Sequence, residues 1–228
     1  MPSLFSTVTS LMLATAVVAS PFPAKIKFGS GDVSNLELPK GGLGLPQPDL
    51  ELKFILLGVG TQNYSCADGR DAAPKATGAI ADLYDLGPLL TSDTISEATV
   101  NTLIDRIPGL VLPFTDKSGK IKGNVGLPTI GTHFFKSNPT APVFDLTEVD
   151  ARAVVGLDSR VPAPEDAFPG KKKEGAVDWL FLTDAGESFG GVSNVYRVVT
   201  AGGKAPETCK GKKDEFTVEY AAEYWFYG

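Results

Sequence analysis

Hydrophobic and polar positions alternate with a period of two through much of the second half of the chain, as in strands with one buried face. In FTVEYAAEYWFY (216–227), Phe216, Val218, Tyr220, Ala222, Tyr224 and Phe226 fall on one side. Thr217, Glu219, Ala221, Glu223, Trp225 and Tyr227 fall on the other. That spacing predicts one core face and one half-polar face. VDWLFLTD (177–184) and VSNVYRVVTAGG (192–203) read the same way, the second ending on a glycine turn. LELKFILLGVGTQNYSCA (50–67) has β-branched and aromatic residues and no helical stripe; it predicts one long strand, or two broken at Gly58 and Gly60. TGAIADLYDL (77–86), THFF (132–135), PVFDL (142–146) and ARAVVG (151–156) supply shorter strands. One segment, DTISEATVNTLIDRI (93–107), has helical periodicity: Val100, Leu103, Ile104 and Ile107 line one face. Thr94 and Glu97 have capping-box spacing, and Pro108-Gly109 closes the segment. Short strands between turns predict a mainly β fold, an antiparallel β-sandwich or barrel with one helix inserted at about residues 93–107.

The first 49 residues lie outside this pattern. Residues 4–19 carry no charge and hold an apolar run too short to span a bilayer, with Val17 and Ala19 as small cleavage-site residues; 1–19 reads as a signal peptide. Residues 20–49 form an extended Pro/Gly-rich leader, draped on the surface or removed as a propeptide. A single β-rich domain, 50–228, follows. Composition adds 25 glycines and 17 prolines, which suit a loop-rich β fold. The net charge of −6 argues against nucleic acid as a partner, and no later stretch suits a membrane helix. The expected location is extracellular. In that oxidising compartment, one disulfide between Cys66 and Cys209 is the simplest reading of two cysteines, with two free thiols as the alternative.

Several motifs invite a catalytic reading and fail it. Gly58-x-Gly60 continues to Asn63 where a dinucleotide fingerprint needs glycine, and no helix opens behind it. Gly186-Glu187-Ser188-Phe189-Gly190 matches G-x-S-x-G, but a strand follows it and the single histidine, His133, precedes it. One histidine and no C-x-x-C give no zinc site, so neither metal nor cofactor is expected. Trp179, Tyr196, Trp225 and Tyr227, with His133, are the candidate platform for sugar rings, against the alternative of a packed sheet face. Asn63-Tyr64-Ser65 is a glycosylation sequon inside a predicted strand.

The segments GVGTQNYSCA, GAIADLYDL, GTHFF, VDWLFL, VYRVVTAGGKAPETC and VEYAAEYWFY together resemble a secreted fungal family of unknown function with bacterial relatives, over roughly residues 50–227. Its fungal members often carry the label malate dehydrogenase. The resemblance implies an exported β-rich protein and brings no catalytic residues with it.

The expected function is therefore a secreted, non-enzymatic protein that binds wall polysaccharide or a host surface. An extracellular polymer-degrading hydrolase or lyase that uses carboxylates is the alternative. Last comes an NAD-dependent malate dehydrogenase, for which the chain offers no Rossmann half.

Overall fold

The computed structural model of the chain describes residues 31–40, 44–123, 126–137 and 140–228. The expected signal peptide and residues 20–30 of the leader lie outside these. Eight strands form a closed barrel in chain order: β1 (Leu52–Ser65), β2 (Lys75–Asp85), β3 (Thr129–Ser137), β4 (Thr140–Leu146), β5 (Ala151–Val161), β6 (Trp179–Asp184), β7 (Asn194–Gly202) and β8 (Glu215–Tyr227). Every neighbouring pair is antiparallel, and β8 closes on β1 from Leu52↔Tyr227 to Ser65↔Glu215. Closure removes the free edges that an open sheet would expose. Of sandwich and barrel, the chain forms the barrel.

Alternation places one residue set inside and the next outside. Leu56, Leu83, Phe144, Val155, Val195 and Phe226, from six different strands, meet in one fully or nearly fully buried cluster, the barrel interior. A second cluster lies on the outer face of β1, β6, β7 and β8, where Ile55, Phe181, Tyr196, Val198, Trp225 and Tyr227 pack under other parts of the chain. Most of this cover comes from the connection between β2 and β3, which contributes Leu86, Leu90, Val100, Ile104, Ile107 and Leu112. The rest comes from a strap ahead of β1, with Val33 and Leu45 buried and Leu36 and Leu38 packed on the cluster, and from Ala163 and Phe168 of the β5–β6 connection. Both faces of β8 are therefore buried from Tyr220 to Tyr227, where a half-polar outer face is expected from the sequence. Each such large side chain removed from water contributes roughly 1.5–3 kcal/mol.

The helix expected over 93–107 is two short helices, α2 (Glu97–Leu103) and α3 (Ile107–Val111), after a single turn α1 (Gly87–Leu90). Ser96, not Thr94, caps α2, its side chain accepting from the Thr99 N–H at 3.3 Å. Pro108 and Gly109 belong to α3 instead of ending the previous helix. Proline fits the first turn because it has no N–H to leave unbonded there, while it disfavours helical backbone at the residue before it. A tight turn follows α3: Thr115 bridges Ile121, and the tip glycine, Gly119 (φ +76°), rests on the backbone of β1. A Cβ at Gly119 would lie 2.3 Å from the Gly60 carbonyl oxygen, so only glycine fits.

The Cys66–Cys209 disulfide joins the end of β1 to the β7–β8 connection, and Cys209 N–H donates to the Ala72 carbonyl. Closing a loop between residues 143 apart is worth about 5 kcal/mol in the chain-entropy model.

Candidate functional site

The structure separates the aromatic residues expected to form one platform. His133 is inside the barrel. Its ring stacks on Phe144 with centroids 4.2 Å apart, lies 5.6 Å from both Phe135 and Tyr224, and donates from Nδ1 to the Val143 carbonyl at 2.9 Å. Burial drives its pKa down to about 4; the Val143 bond opposes this and the Arg197 charge adds to it. Trp179, Tyr196, Trp225 and Tyr227 lie on the outer wall, all at least 95% buried beneath the strap and helices. Tyr196 and Tyr227 meet edge to face at 5.4 Å, and the Tyr196 hydroxyl donates to the Pro46 carbonyl of the strap at 3.2 Å. They are a packed layer and not an exposed platform.

The other flagged residues have structural contacts. Ser188 Oγ accepts from Val154 N–H and donates to the Val154 carbonyl, pinning its loop to β5. Asn63 is half-buried within β1, its side-chain oxygen accepting from Thr61. Gly58 leaves room for the Tyr224 ring, since a Cβ would lie 2.4 Å from it, and β1 runs unbroken through both glycines.

A cleft of about 790 Å³ opens on the outer wall, between α2–α3, the loop at 164–169 and the paired strands β6 and β7. Asn101, Asp105, Arg106, Asp166 and Trp179 line it, with Leu110 and Phe168 as apolar surface. Partial burial holds the Asp105 carboxyl above its ordinary value; the Arg106 guanidinium pulls it back, and the Asp166 carboxylate adds to the rise. Behind the cleft lies Glu223, fully buried. One of its oxygens accepts from the Trp225 indole N–H at 3.0 Å and the other has no partner among the described residues. Burial pushes this carboxyl well above the usual range; the Trp225 bond opposes the rise and the charge of Asp105 adds to it. The Trp179 indole nitrogen also lacks a partner among the described residues.

Backbone strain falls in the same place. Val199 lines the cleft with φ +46°, in the left-handed region that a β-branched residue rarely enters, at the β7 irregularity between Val198 and Ala201. Such strain costs roughly 1–3 kcal/mol and clusters at working sites. Strained backbone, unsatisfied buried polar atoms and shifted carboxyls together mark this wall as the candidate site.

The chain belongs to the DUF3455 family. The family, described as "Protein of unknown function (DUF3455)", matches residues 46–228, which take in the barrel, the helical connection and the disulfide. No curated protein and no solved structure matches the chain. Within this DUF3455 domain, no group of three or more histidine, cysteine, aspartate or glutamate side chains among the described residues could hold a metal ion.

Sequence reasoning reached Trp179 and missed Asp105, Asp166, Val199 and Glu223. Asp105 follows Ile104 in the helical stripe and Asp166 sits in a proline-rich loop; neither local pattern separates them from the chain's other carboxylates. Glu223 occupies an alternation site that reads as solvent-facing until the β2–β3 connection is known to cover it.

Proposed function

We propose that the protein is a secreted, non-enzymatic binding protein whose outer-wall cleft takes a neutral, hydroxyl-rich chain of the wall-polysaccharide class. One observation carries this reading: Asp105 and Asp166 converge with Asn101, Arg106 and Trp179 around a single cleft. Carboxylates accept hydrogen bonds from sugar hydroxyls, the guanidinium and amide donate in return, and Leu110 and Phe168 offer surface to the apolar faces of the rings. The cleft volume falls within the range of small-molecule sites. The charges that line it balance, Lys40 and Arg106 against Asp105 and Asp166, so the lining favours a neutral sugar over an ionic one. The test is calorimetric titration with soluble chitin and β-glucan oligomers, backed by retention on the insoluble polymers. Saturable binding should weaken at least tenfold in Asp166→Ala, since a lost hydrogen bond to a charged group costs about 1.5–3 kcal/mol. No binding to any wall polymer overturns the proposal.

The raised Asp105 carboxyl favours a second reading, hydrolysis of the same polymer with Asp105 as the proton donor and Asp166 as the charged partner. Release of reducing ends by the wild type, abolished in Asp105→Asn, would replace binding with catalysis.

A further inference from the structure

The net charge of −6 conceals a basic face. Three turns meet at the end of the barrel where β1 finishes and β8 begins. The Lys171 ammonium joins two of them, donating to the Thr115 carbonyl and hydroxyl at 3.0 Å each and pairing with Glu219 at 3.0 Å. The third is tied in by Lys204, whose N–H donates to the Gly175 carbonyl and whose side chain packs on that glycine. This contact leaves six exposed lysines on one face: Lys117, Lys120, Lys122, Lys172, Lys173 and Lys204. None of the six is in an ion pair among the described residues. Of the carboxylates in these turns, Glu219 is paired with Lys171, while Asp116, Glu174 and the exposed Glu207 keep their charge and are outnumbered two to one by the six lysines. Asp116 accepts from Ser118 and the Lys120 N–H, and Glu174 accepts from the Lys172 N–H.

Among these lysines stands Phe114, 66% exposed, whose carbonyl accepts from the Lys122 N–H at 2.9 Å. Leu110, one turn earlier, is 53% exposed. Folding leaves these two large apolar side chains in water although the same connection buries Ile107 and Leu112 completely or nearly so.

We infer that this face docks on an anionic lipid bilayer, with the lysines against the headgroups and Phe114 and Leu110 in the interface. Charge complementarity selects an anionic partner: each lysine near such a surface contributes about 1 kcal/mol. The exposed apolar pair selects the bilayer over a soluble polyanion, because only the bilayer takes them out of water. Net charge alone argues for no membrane partner; the distribution of charge argues for one. Leu110 also lines the cleft, so the test is made at Phe114, which lies outside it.

The full chain is to be sedimented with phosphatidylcholine vesicles, with and without phosphatidylserine, at low and at physiological salt. Binding should require phosphatidylserine and fall with salt. A Lys117→Gln/Lys120→Gln/Lys122→Gln chain should bind on the order of a hundredfold more weakly, at about 1 kcal/mol per lysine. Phe114→Ser should weaken binding several-fold with its circular dichroism unchanged. Equal binding to neutral vesicles, or no binding to either kind, overturns the inference. So does a Phe114→Ser chain that binds as tightly as the wild type; capture of that chain by soluble dextran sulfate would reassign the face to a polyanion.

Discussion

Inside the barrel, His133 is enclosed by Phe144, Phe135 and Tyr224 and donates to one strand carbonyl, an environment that favours its neutral form. On the outer wall, Glu223 is just as buried, and among the described residues it has a single donor, Trp225, and one oxygen without a partner. The histidine is held in the form it already favours at neutral pH. The carboxylic acid is held in the form it favours least. Among the described residues the interior keeps one buried polar atom without a partner, Gln62 Nε2, while the wall under the strap and helices concentrates unfavourable features: Glu223, the strained Val199 and the indole nitrogen of Trp179. Natural chains tolerate such local conflicts chiefly where function needs them.

The largest effect is expected at Glu223. Its carboxyl is raised in the folded state, so the native protein holds a proton that the unfolded chain releases above about 4.5. Stability then falls as pH rises from there through the elevated folded value. Glu223→Gln keeps an acceptor for the Trp225 N–H and abolishes this slope, so the variant should be more stable than the wild type at neutral pH. Denaturant midpoints between pH 5 and 8 measure it. A wild type and a variant with parallel profiles would show that the wall is as relaxed as the interior.

His133 should give the opposite slope on the acid side. Its pKa falls from 6.5 to about 4 on folding, so the unfolded chain takes up the proton first. Its contribution is complete above about 6.5 and is lost as pH falls toward 4. At 1.36 kcal/mol per unit the loss is about 3 kcal/mol. His133→Phe can keep the stack on Phe144 and removes this component of the acid limb. Thermal melts at pH 7 and pH 4 check it: the wild type should lose about 3 kcal/mol more than the variant.

This contrast also marks where the sequence stops being informative. All eight strands are located in the sequence, β2, β6 and β8 from alternation and the others from β-branched and aromatic runs between turn residues. The reading of β5 stops at 156 while the strand continues to Val161, since a register shift between Leu157 and Ser159 breaks the period and leaves Leu157 exposed. The cysteine count and the expected oxidising compartment predict the disulfide, and it is present. The cleft was not legible, because Asp105 and Asp166 come from different connections and meet only once the β2–β3 segment folds back over the wall. Alternation assigns a residue to a face of its strand; it does not say whether the rest of the chain covers that face. Hence Glu223 and Trp225 read as a half-polar surface, and His133 as a companion of aromatics on the opposite side of the barrel wall.

The smallest effect belongs to the strap, and it tests whether the wall's cover is as firmly held as its core. Burial of Tyr196 drives its hydroxyl up to about 12, so it stays protonated and donates to Pro46 across the strap. Tyr196→Phe keeps the ring against Phe181 and Tyr227 and removes only that bond, worth about 1 kcal/mol. The barrel strands are joined by antiparallel ladders, whereas the strap, over its described residues 33–40 and 44–46, is held by apolar side chains and by main-chain bonds such as Leu36 N–H to the Val33 carbonyl. The lost bond should therefore appear as local opening and not as a lower global stability. In hydrogen exchange, the Leu36 amide should exchange about fivefold faster, while amides of β1 and β8 at the Leu57↔Glu223 pairing keep their protection. Equal acceleration in strap and barrel would mean that they open as one unit, and that the outer wall is as closed as the interior.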